Sequence, residues 1–356
     1  MKNLYVDLSV IQTVPSSNIN RDDTGSPKTA LYGGVTRSRV SSQSWKRATR
    51  SAFRTAGEST GTRTKKGVQL LATKLSELDP SLDADAALAK ATEVFATAGI
   101  KIDKKTAETG ALLLVSPGQI EKLAQYALNN TDFDKKELKK VLQGDHSLDL
   151  ALFGRMVADA PELNVDASAQ VAHAISTHEV VPEFDYYTAL DDQKTDDTNG
   201  AAMLGTIEFN SATLYRYANI NLTELSRNLG AADAIHGVTT FIKSFLLSMP
   251  TGKQNTFANK TTPSYVMLTV RTDTPVNLVS AFEEPVVSKA GYVAKSIEKL
   301  ETEYRKALDF VEHPVINLVL GHPISQVGQP VANVAELLNQ VTETLTKAVQ
   351  HADTND

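Results

Sequence analysis

R-S-R-V-S-S-Q-S-W-K-R-A-T-R, residues 37–50, reads as the opening of an amphipathic helix. Ser41 and Ser42 are good N-cap residues, because a serine oxygen accepts a first-turn amide that no helical carbonyl reaches. Beyond them Trp45, Ala48, Ala52 and Phe53 recur at helical spacing on one stripe. Gln43, Lys46, Arg47, Arg50 and Arg54 occupy the other. Packing accounts for the first stripe. The second is left for solvent or for an anion.

Upstream, Leu4 to Val10 alternates, with Leu4, Val6, Leu8 and Val10 on one side and Tyr5, Asp7 and Ser9 on the other, the pattern of a half-buried strand. A polar loop from Pro15 to Gly34 separates that strand from the helix and carries Asn20-Arg21-Asp22-Asp23. Downstream, from about Gly61 to Ala174, the pattern is mostly helical, as in Asp83 to Phe95 and Pro117 to Leu128. Strand-like segments resume at Gly205 to Leu222, Tyr265 to Arg271 and Val315 to Leu320. Helical ones lie at Ala231 to Met249, Gly291 to Val311 and Val331 to Gln350. A strand–helix–strand layout interrupted by a helical block indicates an α+β fold carrying a helical insertion rather than two tandem domains. Asn199-Gly200, in the polar run Asp191 to Gly200, signals a hairpin or flexible loop. The acidic tail after His351 is expected to fray.

The 356 residues include no cysteine, which excludes disulfides, thiolate metal sites and thiol catalysis and fits a reducing cytosol. The first residues lack the apolar core of a signal peptide, and no run approaches the roughly 20 apolar residues of a membrane span. A soluble, cytoplasmic protein is expected. The net charge of −6 hides a segregation: from Thr24 to Ser76 eleven basic residues meet the single acid Glu58, a local +10 against −16 elsewhere. Such a block suits a polyanion. A solvated helix face is the plainer alternative, but ordinary solvated faces mix both signs, and no acid occurs from Thr24 to Gly57. Lys and Arg would neutralise phosphates while the helix start offers free amides and Gln43 and the serines fix register.

Catalytic signals are weak. Asp22-Asp23 could hold Mg²⁺, although such a loop pair is usually turn chemistry. His178-Glu179 begins like H-E-x-x-H, but no second His follows at that spacing. His173 and His178, five apart, would sit on different faces of a helix and read as structural. Pro250 to Asn255, P-T-G-K-Q-N, lacks the remaining signature of a phosphate-binding Walker loop and reads as a basic polar loop. Tyr215-Arg216-Tyr217 sits in a strand, where aromatics either pack between sheet and helix or stack on bases. No metal ligand set or cofactor motif stands out.

An ordered series of motifs goes further: N-R-D-D (Asn20 to Asp23), Y-G-G, R-V-S-S-Q-S-W-K-R-A, L-A-L-F-G-R-M (Leu150 to Met156), V-A-H-A-I-S-T-H-E-V ending at Val180, Y-T-A-L-D-D (Tyr187 to Asp192), and L-Y-R-Y-A-N-I-N-L (Leu214 to Leu222). In this series the chain resembles the CasC-type backbone, crRNA-binding subunit of type I-E CRISPR Cascade complexes. The resemblance implies an RRM-like (ferredoxin-like) palm from both ends of the chain (1–59, 181–187 and 211–356), a helical fingers insertion (60–180) and a thumb hairpin (188–210). It implies RNA contacts from Arg21, Lys28, Ser41, Ser42, Gln43, Lys46, Arg47, Arg50, Tyr187 and Thr188, with Leu150 or Met156 as a wedge beside a displaced base.

The implied function is structural. Copies would stack head to tail along a guide RNA (crRNA), kink it at intervals and present it for pairing with target DNA in antiviral defence. Large, small, guide-end-capping and guide-processing subunits would be the other partners, and a recruited helicase-nuclease would degrade the target. No cofactor, metal or membrane is expected. The alternative is a metal-dependent endoribonuclease of the type III backbone kind, using Asp22 or Asp23.

Overall fold

The computed structural model describes residues 3–103, 105–189, 203–322 and 324–353. In chain order it contains β1 (Tyr5–Ser17), β2 (Thr29–Tyr32), β3 (Val35–Val40), α1 (Ser42–Thr55), β4 (Thr62–Thr64), α2 (Gly67–Leu78), α3 (Ala84–Thr97), β5 (Leu113–Val115), α4 (Pro117–Asn129), α5 (Lys135–Leu142) and α6 (Leu148–Phe153). There follow β6 (Ala169–Val171), β7 (Ala174–Ser176), β8 (Glu183–Ala189), β9 (Met203–Asn221), α7 (Leu222–Leu229), α8 (Ala231–Leu247), α9 (Gln254–Phe257), β10 (Tyr265–Arg271), α10 (Val293–Ala307), β11 (Ile316–Leu320), β12 (Gln329–Val331) and α11 (Val334–Asp353).

The centre is the antiparallel order β10-β1-β9-β7, with α1 lying in sequence between β1 and β7 and α8 between β9 and β10. This split β-α-β arrangement is the RRM-like, ferredoxin-like palm. β11 and β12 extend one edge of the sheet, β3 and β2 the other. Val6, Leu8 and Val10 pack with Phe53 of α1, Phe241 and Phe245 of α8, and Leu337 and Val341 of α11.

The opposite face is covered too, so β1 is not the half-buried strand its alternation predicts. Ile11, Tyr215, Tyr217, Tyr265 and Met267 pack under Leu300 and Tyr304 of α10 and under the 3-10 turn Leu278–Phe282. The polar residues of β1 are therefore interior. Ser9 Oγ lies 3.1 Å from the Tyr215 hydroxyl, and Tyr217 donates to Asp7 at 2.8 Å. Tyr215 and Tyr217 are core residues, which removes them as a base-stacking platform.

Burial pushes the Asp7 carboxyl up to about 6, against the hydrogen bonds from Val276 N–H and Tyr217 and the nearby Arg271 charge. A raised carboxyl holds its proton more tightly in the folded state. Its stabilising contribution is complete below 3.8, the ordinary value, and is lost as pH rises through about 6. At 1.36 kcal/mol per unit the loss is about 3 kcal/mol. Urea titrations of wild type and Asp7→Asn should show the stability difference shrinking by that order between pH 4 and 7. A difference independent of pH would refute the assignment.

The helical insertion has its own core, running from Val68 to Leu163 and including Leu71, Phe95, Leu123 and Leu138. The short antiparallel pair β4–β5 accompanies it. α6 turns back to the palm, where Leu148, Ala151 and Leu152 join the main core. β6 and β7, inside the span expected as fingers, are strands of the palm sheet, and His173 and His178 stand beside them rather than on a helix. β8 and β9 form a hairpin from Glu183↔Phe209 to Ala189↔Met203. The remainder of the expected thumb, 190–202, lies outside the described residues. The expected Pro15–Gly34 loop also holds the end of β1 and all of β2.

Candidate nucleic-acid interface

α1 starts where the local chemistry predicts. Ser41 is extended, at φ −65 and ψ 150, and its Oγ accepts the Ser44 amide at 3.3 Å. Trp45, Ala48, Thr49 and Phe53 are buried, and the first turn contains no acid. The first loop is stapled to this start. Asn20 Oδ1 accepts the Ser41 amide at 2.8 Å, Asn20 O accepts the Lys28 amide at 2.8 Å, and Lys28 O accepts the Arg39 amide at 2.9 Å. First-turn amides of a 14-residue helix, with the positive end of its dipole, favour an anion in front of Ser42 and Gln43.

Beside the helix start runs an open groove lined by Arg21, Asp22, Asp23, Ser44, Arg47, Ser51 and the Pro250–Lys253 loop. Gly252 lets that loop press on the first one: a Cβ there would lie 2.4 Å from the Ile19 carbonyl oxygen. Lys253 is held in the left-handed region at φ 51, strained for a lysine. The P-T-G-K segment, read from sequence only as a basic polar loop, thus supplies a third cation to the groove of Arg21 and Arg47. No local pattern could have found it, because two segments more than 200 residues apart meet there.

The outer stripe of α1 splits in two. Gln43, Arg47 and Arg54 are exposed, Arg47 on the groove, whereas Lys46 and Arg50 are half-buried at the palm–insertion junction. Lys46 Nζ sits 5.5 Å from the Phe153 ring centre. Burial there, reinforced by the Arg63 charge, lowers its pKa. Arg54 donates to Thr60 Oγ1 at 3.0 Å.

Arg50, expected on phosphate, is committed elsewhere. Its Nε and Nη2 reach Asp149 Oδ2 at 2.7 and 2.6 Å, and Nη2 also donates to the Gly61 carbonyl at 3.1 Å. Arg50 is a clamp between palm and insertion. Arg37 is internal as well, donating to the carbonyls of Tyr32, Ser176 and Phe282. Lys74 is paired with Glu77 and Glu121. The +10 block is therefore not one face.

Asp22 closes a turn. Its Oδ1 accepts the Thr24 amide at 2.9 Å, the Thr24 hydroxyl at 2.7 Å and the Ser26 amide at 3.0 Å. These bonds, led by the Thr24 hydroxyl, hold its carboxyl below the ordinary range. Among the described residues no cluster of three or more His, Asp or Glu side chains is arranged to hold a metal.

Leu150 is 0% exposed in the core beside Asp149, which removes it as a wedge. Met156 is 82% exposed, following a buried Arg155 that donates to the carbonyls of Leu163, Leu114 and Leu142. Tyr187 and Thr188 are exposed on β8, opposite Gly205 and Leu204. The Tyr187 ring lies over Gly205, where a Cβ would meet it at 2.4 Å. The base of the hairpin is tied to the first loop by Asn18, whose Nδ2 donates to the Gly25 and Glu208 carbonyls, each at 2.9 Å.

Together these features define a class: a ferredoxin-like palm with a separately cored helical insertion, whose acid-free helix start opens beside a polar groove that holds Arg21, Arg47 and Lys253. The chain belongs to the family of CT1975-like proteins, whose family model matches residues 6–348. It is similar to a chain of a CRISPR RNA-guided surveillance complex, pre-nicking, at 32% identity and a TM-score of 0.84, over 96% of this chain and 100% of that one. It is also similar to a chain of another CRISPR RNA-guided surveillance complex, at 29% identity and a TM-score of 0.73, over 95% and 99%. No curated protein matches. Among the described residues no helix is long and apolar enough to cross a membrane.

Proposed function

We propose that this chain is a non-catalytic, guide-RNA-binding backbone subunit of a Cascade complex of type I-E, working in the cytoplasm. The observation that carries the reading is the groove beside the acid-free start of α1, where Arg21, Arg47 and Lys253 stand against Asp22 and Asp23. Its setting supports it: a chain similar over 96% of its length to one from an RNA-guided surveillance complex. Ser41, Ser42 and Gln43 at the helix start, with Lys28 from the first loop and Lys46 from the junction side, would share the sugar–phosphate chain. Copies would stack head to tail along the crRNA, an open, heterologous contact, with the β8–β9 hairpin reaching a neighbour. Met156 would press beside a displaced base. Base pairing with target DNA would carry sequence specificity, so the protein need read only backbone and shape. The other Cascade subunits and a recruited helicase-nuclease would complete the system.

Arg21→Ala combined with Arg47→Ala should weaken single-stranded RNA binding equally for unrelated sequences. Losing two phosphate contacts should flatten the slope of log affinity against log salt by about 1.4. An unchanged slope would sink the proposed grip. If matching RNA were cut in Mg²⁺ by wild type and not by Asp22→Ala or Asp23→Ala, the endoribonuclease alternative would stand instead.

A further inference from the structure

A second group of cations gathers on the other side of the helix start. Arg39 is the last but one residue of β3, Lys28 precedes β2, and His173 sits between β6 and β7. Arg39 Nε donates to the Thr29 carbonyl at 3.0 Å, and Nη1 lies 3.1 Å from His173 Nδ1. A guanidinium has no lone pair to offer, so His173 Nδ1 must accept. That fixes the neutral tautomer with the proton on Nε2. His173 is exposed, and Arg39 and Lys28 are half-buried.

The charges facing His173 are both cations. Burial first, then Arg39 on β3 and Lys28 on the first loop, lower its pKa, and no carboxylate contributes. β9 lies behind it, but Tyr217 and Arg216 of that strand are buried in the cores. Arg39 and Lys28 are two cations without a facing acid around a neutral imidazole, and the assembly gains when an anion arrives. An imidazole acceptor is a weak substitute for one.

We propose that Lys28, Arg39 and His173 form a second phosphate seat for the RNA, where a phosphate displaces the Arg39–His173 hydrogen bond and His173 takes up a proton from water. Doubly protonated imidazole cannot accept from Arg39, so that bond must break. The freed Arg39 N–H and the new Nδ1–H then both donate to phosphate oxygens. The N–H bond formed is balanced by the bond to hydrogen broken in the hydronium ion or buffer acid that gives up the proton, and no bond of the RNA changes. The inference rests on the RNA-binding reading above and adds two residues and a proton to it.

The test uses the full-length protein and a single-stranded RNA oligonucleotide at fixed salt. As pH falls from about 8 to about 5.5, wild-type affinity should rise, by at most about tenfold per pH unit. His173→Gln should lose the rise, its affinity staying level across that range. In an NMR titration the His173 midpoint should move up when RNA is added, and Arg39→Gln should weaken binding at every pH. An unaltered pH slope in His173→Gln would overturn the proton-coupled seat while leaving RNA binding intact. A midpoint raised by inorganic phosphate but not by RNA would assign the seat to a free anion, overturning it as an RNA site. Failure of wild type to bind RNA at low salt would remove the broader reading, and this one with it.

Discussion

Asp149→Ala should destabilise the protein by about 3–5 kcal/mol, the range for stripping one partner from a buried ion pair. Asp149 is fully buried and makes four bonds. Arg50 donates to it through Nε and Nη2, Gly61 N–H at 2.8 Å and the Ser147 hydroxyl at 2.7 Å. α1 belongs to the palm, Gly61 begins the insertion, and Ser147 precedes α6, which packs on the main core. One carboxylate therefore ties the entry to the insertion and the start of α6 to the helix that bears Arg47. Losing it leaves a guanidinium without its counter-charge and a buried amide without an acceptor. Urea unfolding gives the magnitude.

Arg50→Lys discriminates between roles. A lysine keeps the charge but not the fork that reaches Asp149 and the Gly61 carbonyl together. If Arg50 served phosphate alone, Arg50→Lys would leave stability untouched and Asp149→Asn would be silent. Both variants should instead unfold at lower urea. Replacing the pair together, as Arg50→Met with Asp149→Leu, should recover much of the loss, because two buried charges are exchanged for packed apolar groups.

Arg216→Ala should cost a similar amount, about 3–5 kcal/mol, as for a large buried side chain cut to a methyl. The guanidinium carbon lies 3.8 Å from the Trp45 ring centre and 4.3 Å from that of Phe245. Its terminal nitrogens donate to Gln12 Oε1 and the Phe245 carbonyl. Burial lowers its pKa to about 9, so it is still a cation at neutral pH, held by ring faces and amide oxygens. It joins α1, α8 and β9, and without it Trp45 loses its stacking partner. Arg216→Met should cost less, about 1–3 kcal/mol, since it fills most of the space and forfeits the hydrogen bonds. Equal losses in the two variants would mean that packing contributes little.

The α1 start was legible in the sequence because capping is local: Ser41 and the Trp45–Phe53 stripe need only their neighbours in the chain. Tyr265 to Arg271 was legible for the same reason, and the observed β10 has those bounds. β2 was not, since T-A-L-Y is held by pairing with β3 rather than by its own pattern. The two-sided burial of β1 was also hidden. Asp7 and Ser9 read as solvent-facing until α10 and the Leu278–Phe282 turn supply a second cover and the tyrosines supply partners.

By itself the sequence determined the kinds of element, their order, the helical interruption of a strand–helix–strand layout, and the acid-free basic window around α1. Only the tertiary structure decided which of those cations are free. A helical repeat separates the inward stripe from the outward one, but it carries no information about what stands opposite the outward stripe. Asp149, 99 positions along the chain, claims Arg50, while Lys253 joins Arg47 from beyond α8. Charge acts through space, and its partners are set by the fold.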